Sequence, residues 1–112
     1  MGARAHLTKI YTWYSERVAH FLDKFASYPE GNGTLLDNTL VVWGGEIGKG
    51  NNHSFDKVPF VLAGAAGGAL QTGRYLQAPG AVHNRLLVSI CQLMGLSRAD
   101  LRRHRPGLAG LV

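Results

Sequence analysis

Between Gly44 and Val58 the chain places Glu46, Asn51, Asn52, His53 and Asp56 in a short polar stretch. Imidazole and carboxylate groups are ordinary ligands of zinc, manganese and iron, and carboxamides can orient a substrate oxygen. The surrounding glycines permit the tight backbone that would bring Glu46 and His53 together. The competing reading is a surface loop in which Asn and Asp side chains cap turns and His53 is solvated. One imidazole and two carboxylates do not decide between the two.

Other residues offer narrower choices. Gly44-Gly45-Glu46-Ile47-Gly48-Lys49-Gly50 has the flavour of a phosphate-binding loop but not its spacing. Trp43 stands where the first glycine belongs, and Gly50 stands where a Ser or Thr would hold magnesium. His83-Asn84 opens a second helix, where Asn84 or a neighbour would cap it and His83 would either face the same pocket or serve structure alone. Cys91 lies inside that helix beside Ile90 with no paired His nearby, which reads as a buried thiol rather than a nucleophile. The single cysteine excludes an internal disulfide and an all-cysteine metal site. Gly64 to Ala69 is a small-residue turn whose amides either hold an anion or permit close packing.

The elements that must position these residues are legible in outline. Ile10, Trp13, Tyr14, Arg17, Val18, Phe21, Leu22 and Phe25 recur at spacings of three and four, which predicts a helix of about 20 residues with a broad apolar stripe. Its aromatic residues are expected in the core, and Pro29 ends it. Thr39 to Trp43 and Phe60 to Ala63 are apolar runs without alternation, the mark of strands buried on both faces. Gly73 to Leu76 suggests a third short strand. Val82 to Met94 predicts the second helix, with Val82, Leu86, Ile90, Leu93 and Met94 on one face and Gly95 as its C-cap. Helix, strand, loop, strand, turn and helix form an α/β pattern, with the polar loop at a strand's end where such sheets place ligands. Two helices cannot cover both faces of such a sheet, so the sequence reads as part of a larger α/β domain. Residues 1–97 would form its C-terminal portion and 98–112 a basic, flexible tail.

With 112 residues there is room for one domain, and 46% hydrophobic against 17% charged residues is a globular rather than a disordered composition. No apolar run reaches the length of a membrane span, and Met1-Gly2-Ala3-Arg4 opens no signal peptide. Three of the five net positive charges fall in 98–112, from Arg98, Arg102, Arg103 and Arg105 against Asp100. That stretch has no interleaved aromatic residue, so it reads as a solvated terminus, and no nucleic-acid partner is expected. A small basic nucleic-acid-binding protein is the last-ranked alternative.

Pro29 to Thr39, Trp43 to Ser54, Val58 to Gly64, Gly73-Arg74-Tyr75-Leu76 and His83-Asn84-Arg85-Leu86-Leu87 together resemble the C-terminal part of the domain of unknown function 1552 family. The likeness spans roughly residues 7–97, with its motifs in order. That family comprises bacterial proteins several times longer than this chain and commonly exported, with no established activity. The resemblance implies a parent chain that is periplasmic or extracellular, with an absent N-terminal part as this segment's partner. The pattern of strand, polar loop, His and Val-Pro strand is more distantly similar to the alkaline phosphatase and sulfatase superfamily, which implies a fragment of a three-layer α/β sandwich. His53 matches a metal-binding His of that superfamily and Glu46 falls near an Asp ligand, while Ile47 replaces a neighbouring His ligand. By this resemblance His53 and Glu46 would bind a divalent metal in the full-length parent, with Asn51, Asn52, Asp56 and His83 lining the pocket. The parent would hydrolyse phosphate or sulfate esters using metal to activate the nucleophile, and the fragment alone would be inactive. The alternative is a non-catalytic binding or structural protein on the same fold.

Overall fold

The computed structural model describes residues 2–97, 99–101 and 106–112. It is a mixed α/β arrangement of two α-helices and two small antiparallel sheets. Helix α1, Ala3–Ser27, is 25 residues long, about 37 Å at 1.5 Å per residue. It leaves helical geometry at Tyr28, just before Pro29, as the restriction on residues preceding proline requires. The short strands β1, Pro29–Glu30, and β2, Gly33–Thr34, turn back through Gly31 at a φ of 57°. This return lets the Leu36 amide donate to the Phe25 carbonyl, satisfying an end group of α1.

The apolar stripe of α1 was expected to form core, and it does not. No residue of α1 is buried; Trp13 is 55% exposed and Tyr14 51%, and only Val18, Leu22 and Phe25 are half-buried. At 100° per residue, Leu7 through Phe25 cover an arc of about 180°. The pattern specifies a large complementary surface, and the chain's other elements do not provide one.

Strands β3, Val41–Gly44, and β4, Phe60–Ala63, pair antiparallel, with Val41 opposite Ala63 and Gly44 opposite Phe60. Neither strand is sandwiched as its continuous apolar character predicts. Val42 is 42% exposed and Val61 45%, and these two point to opposite faces of the pair. Phe60 and Leu62 face the core from one side. The third strand expected at Gly73–Leu76 does not form. That stretch is irregular and exposed, and Arg74 instead turns its guanidinium onto carbonyls of Gln71, Gly110 and Leu111.

Helix α2, His83–Leu93, ends as its sequence indicates. Gly95 takes a φ of 90°, its amide donates to Gln92 and that of Leu96 donates to Cys91, the paired bonds of a Schellman cap. Leu86 and Leu93 join Leu70 and Leu111 in the buried cluster, with Leu40, Phe60, Leu62, Ile90 and Leu108 packed around it. Val82 and Met94, expected on the buried face, are exposed.

Residues 106–112 are not wholly solvated: Leu108 and Leu111 pack against the core while Pro106, Ala109, Gly110 and Val112 stay exposed. Leu111 is 5% exposed, and the Leu108 amide donates to the Oγ of Ser89, a side chain with no exposure at all. The basic residues on which the flexible-tail expectation rested, Arg98, Arg102, Arg103 and Arg105, lie outside the described residues. The whole is a thin plate, 48 × 38 × 19 Å, with a radius of gyration of 16.2 Å; a compact chain of this length has about 13 Å. Its accessible surface is 8642 Å², where a compact protein of this mass exposes about 6,000 Å².

Candidate functional site

The polar stretch at 45–59 forms the connection between β3 and β4, so the strand pair is a hairpin and the stretch is its long tip. Its root is built by a glycine and two rings. A Cβ on Gly44 would lie 2.3 Å from the Phe60 ring, so only glycine lets that ring lie over the neighbouring strand. The His83 imidazole stacks on Phe60 with centroids 4.9 Å apart and planes inclined by 22°. His83 thereby joins the start of α2 to the base of the loop. Asn84 makes no cap: the N-cap position is Val82, without a side-chain bond.

Above the root the loop narrows into a second, smaller turn. The Gly48 amide donates to the Ser54 carbonyl at 2.8 Å, and the Ser54 amide donates to the Lys49 carbonyl at 3.1 Å. Between them Gly50–Asn52 forms one 3₁₀ turn, and His53 closes it in the left-handed region at φ 50°, ψ 36°. The Asp56 amide donates to Ser54 Oγ, which in turn donates to the Asp56 carboxylate, both at 3.1 Å. Gly48 lies against the Asp56 carbonyl so closely that a Cβ there would sit 1.9 Å from it. Asp56 is therefore a turn-holding residue.

Asn51, Asn52 and His53 are brought together at the tip, Glu46 lies on the ascending limb, and His83 stands apart on α2. All six candidate side chains, Asp56 included, are exposed. Among the described residues, no group of three or more His, Cys, Asp and Glu side chains is placed to hold a metal ion. A catalytic zinc takes three protein ligands. His53 and Glu46 on an exposed loop supply two at most, so the described residues alone do not make a full ligand set for a divalent ion. Only the single 3₁₀ turn Gly50–Asn52, and no α-helix, follows the Gly44–Gly50 stretch, so it lacks the helix N-terminus of a phosphate-cradling loop.

The small-residue turn after β4 is decided by its hydrogen bonds. The amides of Ala65, Ala66 and Gly67 donate to the carbonyls of Leu36, Thr39 and Asp37 at 3.2, 3.1 and 2.9 Å. Gly64, at φ 89°, packs where a Cβ would be 2.1 Å from the Thr39 carbonyl. The amides of Ala65, Ala66 and Gly67 are thus committed to close packing rather than held open for an anion.

Sequence reasoning missed the polar groups that hold 106–112. Arg85 donates through Nε to the Pro106 carbonyl at 3.2 Å and through Nη2 to the Gly107 carbonyl at 3.0 Å. Arg74 grips the Gly110 and Leu111 carbonyls in the same manner. Neither arginine has a carboxylate partner among the described residues. The available signal was the apolar Pro106-Gly107-Leu108-Ala109-Gly110-Leu111 run following the basic stretch, since two leucines three apart are ordinary anchors. Two acids have carboxyls held below the usual range. Asp37 accepts from the amide and hydroxyl of Thr34, and Asp100 from the hydroxyl and amide of Ser97. Compared with known proteins, the chain matches no family model, no curated protein and no solved structure.

Proposed function

We propose that this chain is a component of a larger α/β domain of the kind seen in the domain of unknown function 1552 family, akin to the three-layer sandwich of phosphatases and sulfatases, and that other polypeptide of the same parent covers α1 and the open side of β3–β4. The carrying observation is the uncovered apolar surface. The chain exposes about 2,600 Å² more than a compact protein of its mass. The occupant is argued from the shape of the stripe. An arc of about 180° is wider than the narrow seam of a two-helix coil and calls for a sheet or a pair of elements. In this reading the 45–59 loop forms one wall of a pocket completed elsewhere. His53 and Glu46 contribute at most part of a ligand set, and the hydrolysis of phosphate or sulfate esters belongs to the exported parent. Within this chain the loop's role is binding or architecture, which its turn-holding Ser54 and Asp56 support.

Hydrogen exchange of α1 tests the assembly, comparing this chain alone with the same chain expressed together with its upstream coding sequence. Protection spreading along Ile10 to Phe25 in the longer protein is expected, and equal exchange in both overturns the proposal. The ligand role is tested separately by the metal content of that longer protein. His53→Ala should lower it if the imidazole is a ligand, and unchanged content assigns the loop to binding or architecture alone.

A further inference from the structure

We propose that Asn32 is a self-modifying residue: it loses its side-chain nitrogen by ring closure with Gly33, and the product unfastens the β1–β2 hairpin from the end of α1. Gly31 and Asn32 form the turn between the two strands, and Asn32 and Gly33 are both exposed. Attack of the Gly33 backbone nitrogen on Asn32 Cγ closes a succinimide ring. The N–Cγ bond forms, the Cγ–Nδ2 bond breaks, and Nδ2 leaves as ammonia with the proton from the Gly33 nitrogen. Water then opens the ring at either carbonyl and leaves an aspartate or an isoaspartate. The only co-reactant is water.

The chain's asparagines are Asn32, Asn38, Asn51, Asn52 and Asn84, and glycine follows only the first. Glycine has no Cβ to obstruct ring closure. The Asn32 carboxamide makes no hydrogen bond to a described residue, whereas that of Asn38 donates to the Glu30 carboxylate at 2.8 Å. The hairpin also keeps its reactive pair. A Cβ on Gly33 would lie 2.6 Å from Asp37 Oδ2, the atom that accepts from the Thr34 amide and hydroxyl, so a larger residue there would displace both bonds.

The hairpin gates the step and is changed by it. The Leu35 amide donates to the Tyr28 carbonyl. Bonded and open pairs alternate along an antiparallel ladder, so Glu30–Gly33 is again a bonded pair, and its opening frees the Gly33 nitrogen. Each strand has two residues and neither buries one, so this opening costs far less than unfolding the chain. An isoaspartyl linkage routes the main chain through the former side-chain methylene. The lengthened turn no longer sets Glu30 opposite Gly33, and the new carboxylate adds charge beside Glu30 and Asp37. The bonds that finish α1, from Leu35 to Tyr28 and from Leu36 to Phe25, lie just beyond that turn and loosen with it. The inference does not depend on the function proposed above, because neither the 45–59 loop nor the cover of α1 takes part.

Ageing the full chain at mildly alkaline pH, followed by peptide mapping with mass spectrometry, tests the site. Conversion at Asn32 to a mixture of aspartate and isoaspartate should run at least about tenfold faster than at Asn38, Asn51, Asn52 or Asn84. Any smaller excess overturns the proposal. In urea the Gly33 amide is free, so Asn32 should convert faster still. An equal rate in urea would mean that the hairpin does not hold that amide, and overturns the coupling. The isoaspartyl fraction, separated by ion exchange, is then compared with fresh protein by hydrogen exchange. The Leu35 and Leu36 amides should exchange several-fold faster, and unchanged protection there overturns the link to α1. Asn32→Gln closes the corresponding larger ring far more slowly and should abolish both effects. Loss of Leu35 protection on ageing that variant also overturns the proposal, since another residue would then be responsible.

Discussion

Two glycines with similar crowding have different jobs. Gly64 holds β4 against the 36–39 turn with a positive φ and a carbonyl 2.1 Å from the place a Cβ would take. Gly64→Ala must therefore move backbone in the body of the fold, and a loss of at least about 2 kcal/mol is expected from urea denaturation. Gly48 meets the Asp56 carbonyl even more closely, but within the exposed loop. Gly48→Ala should leave the urea midpoint nearly unchanged while the loop becomes markedly faster to cut by protease. Asp37 and Asp100 contribute to the acid response. Their carboxyls are held below the ordinary aspartate value of 3.8 by Thr34 and Ser97. The stability they contribute is therefore complete above that value and lost as pH falls through the depressed folded-state value. Asp37→Asn with Asp100→Asn should flatten the decline of the urea midpoint between about pH 5 and pH 2. The polar character of the 45–59 loop could be read from residue types alone. That Asp56 ties a turn and His83 rests on Phe60 could not, because both depend on the return of β4 alongside β3.

The two helices show what periodicity tells and what it leaves out. The limits of α2 follow from its apolar spacing and from Gly95, and its inner face finds Leu70 and Leu111. The spacing in α1 is as clear, yet a stripe states what a helix would bury, not whether anything is there to meet it. The energetic contrast is measurable. Leu111→Ala should cost about 2–4 kcal/mol, since it empties a buried site. Tyr14→Ser with Phe21→Ser on half-exposed positions should cost under about 1 kcal/mol in this chain alone. The strand pair carries a similar lesson. Uninterrupted apolar runs at Leu40–Trp43 and Phe60–Ala63 suggested burial on both sides, but a connection without a crossover helix returns the chain antiparallel. Gly73–Leu76 had the composition of a strand but pairs with neither open edge of β3–β4, and Arg74 serves instead to hold the Gly110 and Leu111 carbonyls.

At the scale of the molecule, exposed aromatic residues along α1 and open strand faces should make the isolated chain sticky. Strong enhancement of an apolar dye's fluorescence and concentration-dependent sedimentation are expected. A sharp, reversible melt of a species that stays monomeric at every concentration would count against this. No helix among the described residues is long and apolar enough to cross a membrane.

On a plate 19 Å thick, the acidic and basic side chains of the 45–59 loop stand in water. Two unit charges 4 Å apart attract by about 1 kcal/mol in bulk water and about 4 kcal/mol beneath a protein surface. The side chains of His53 and Glu46 are both exposed to solvent. In the reading proposed above, polypeptide closing over the 45–59 hairpin would lower the local dielectric around both groups at once, so the strength of any chemistry there would be set by the cover as much as by the residues beneath it.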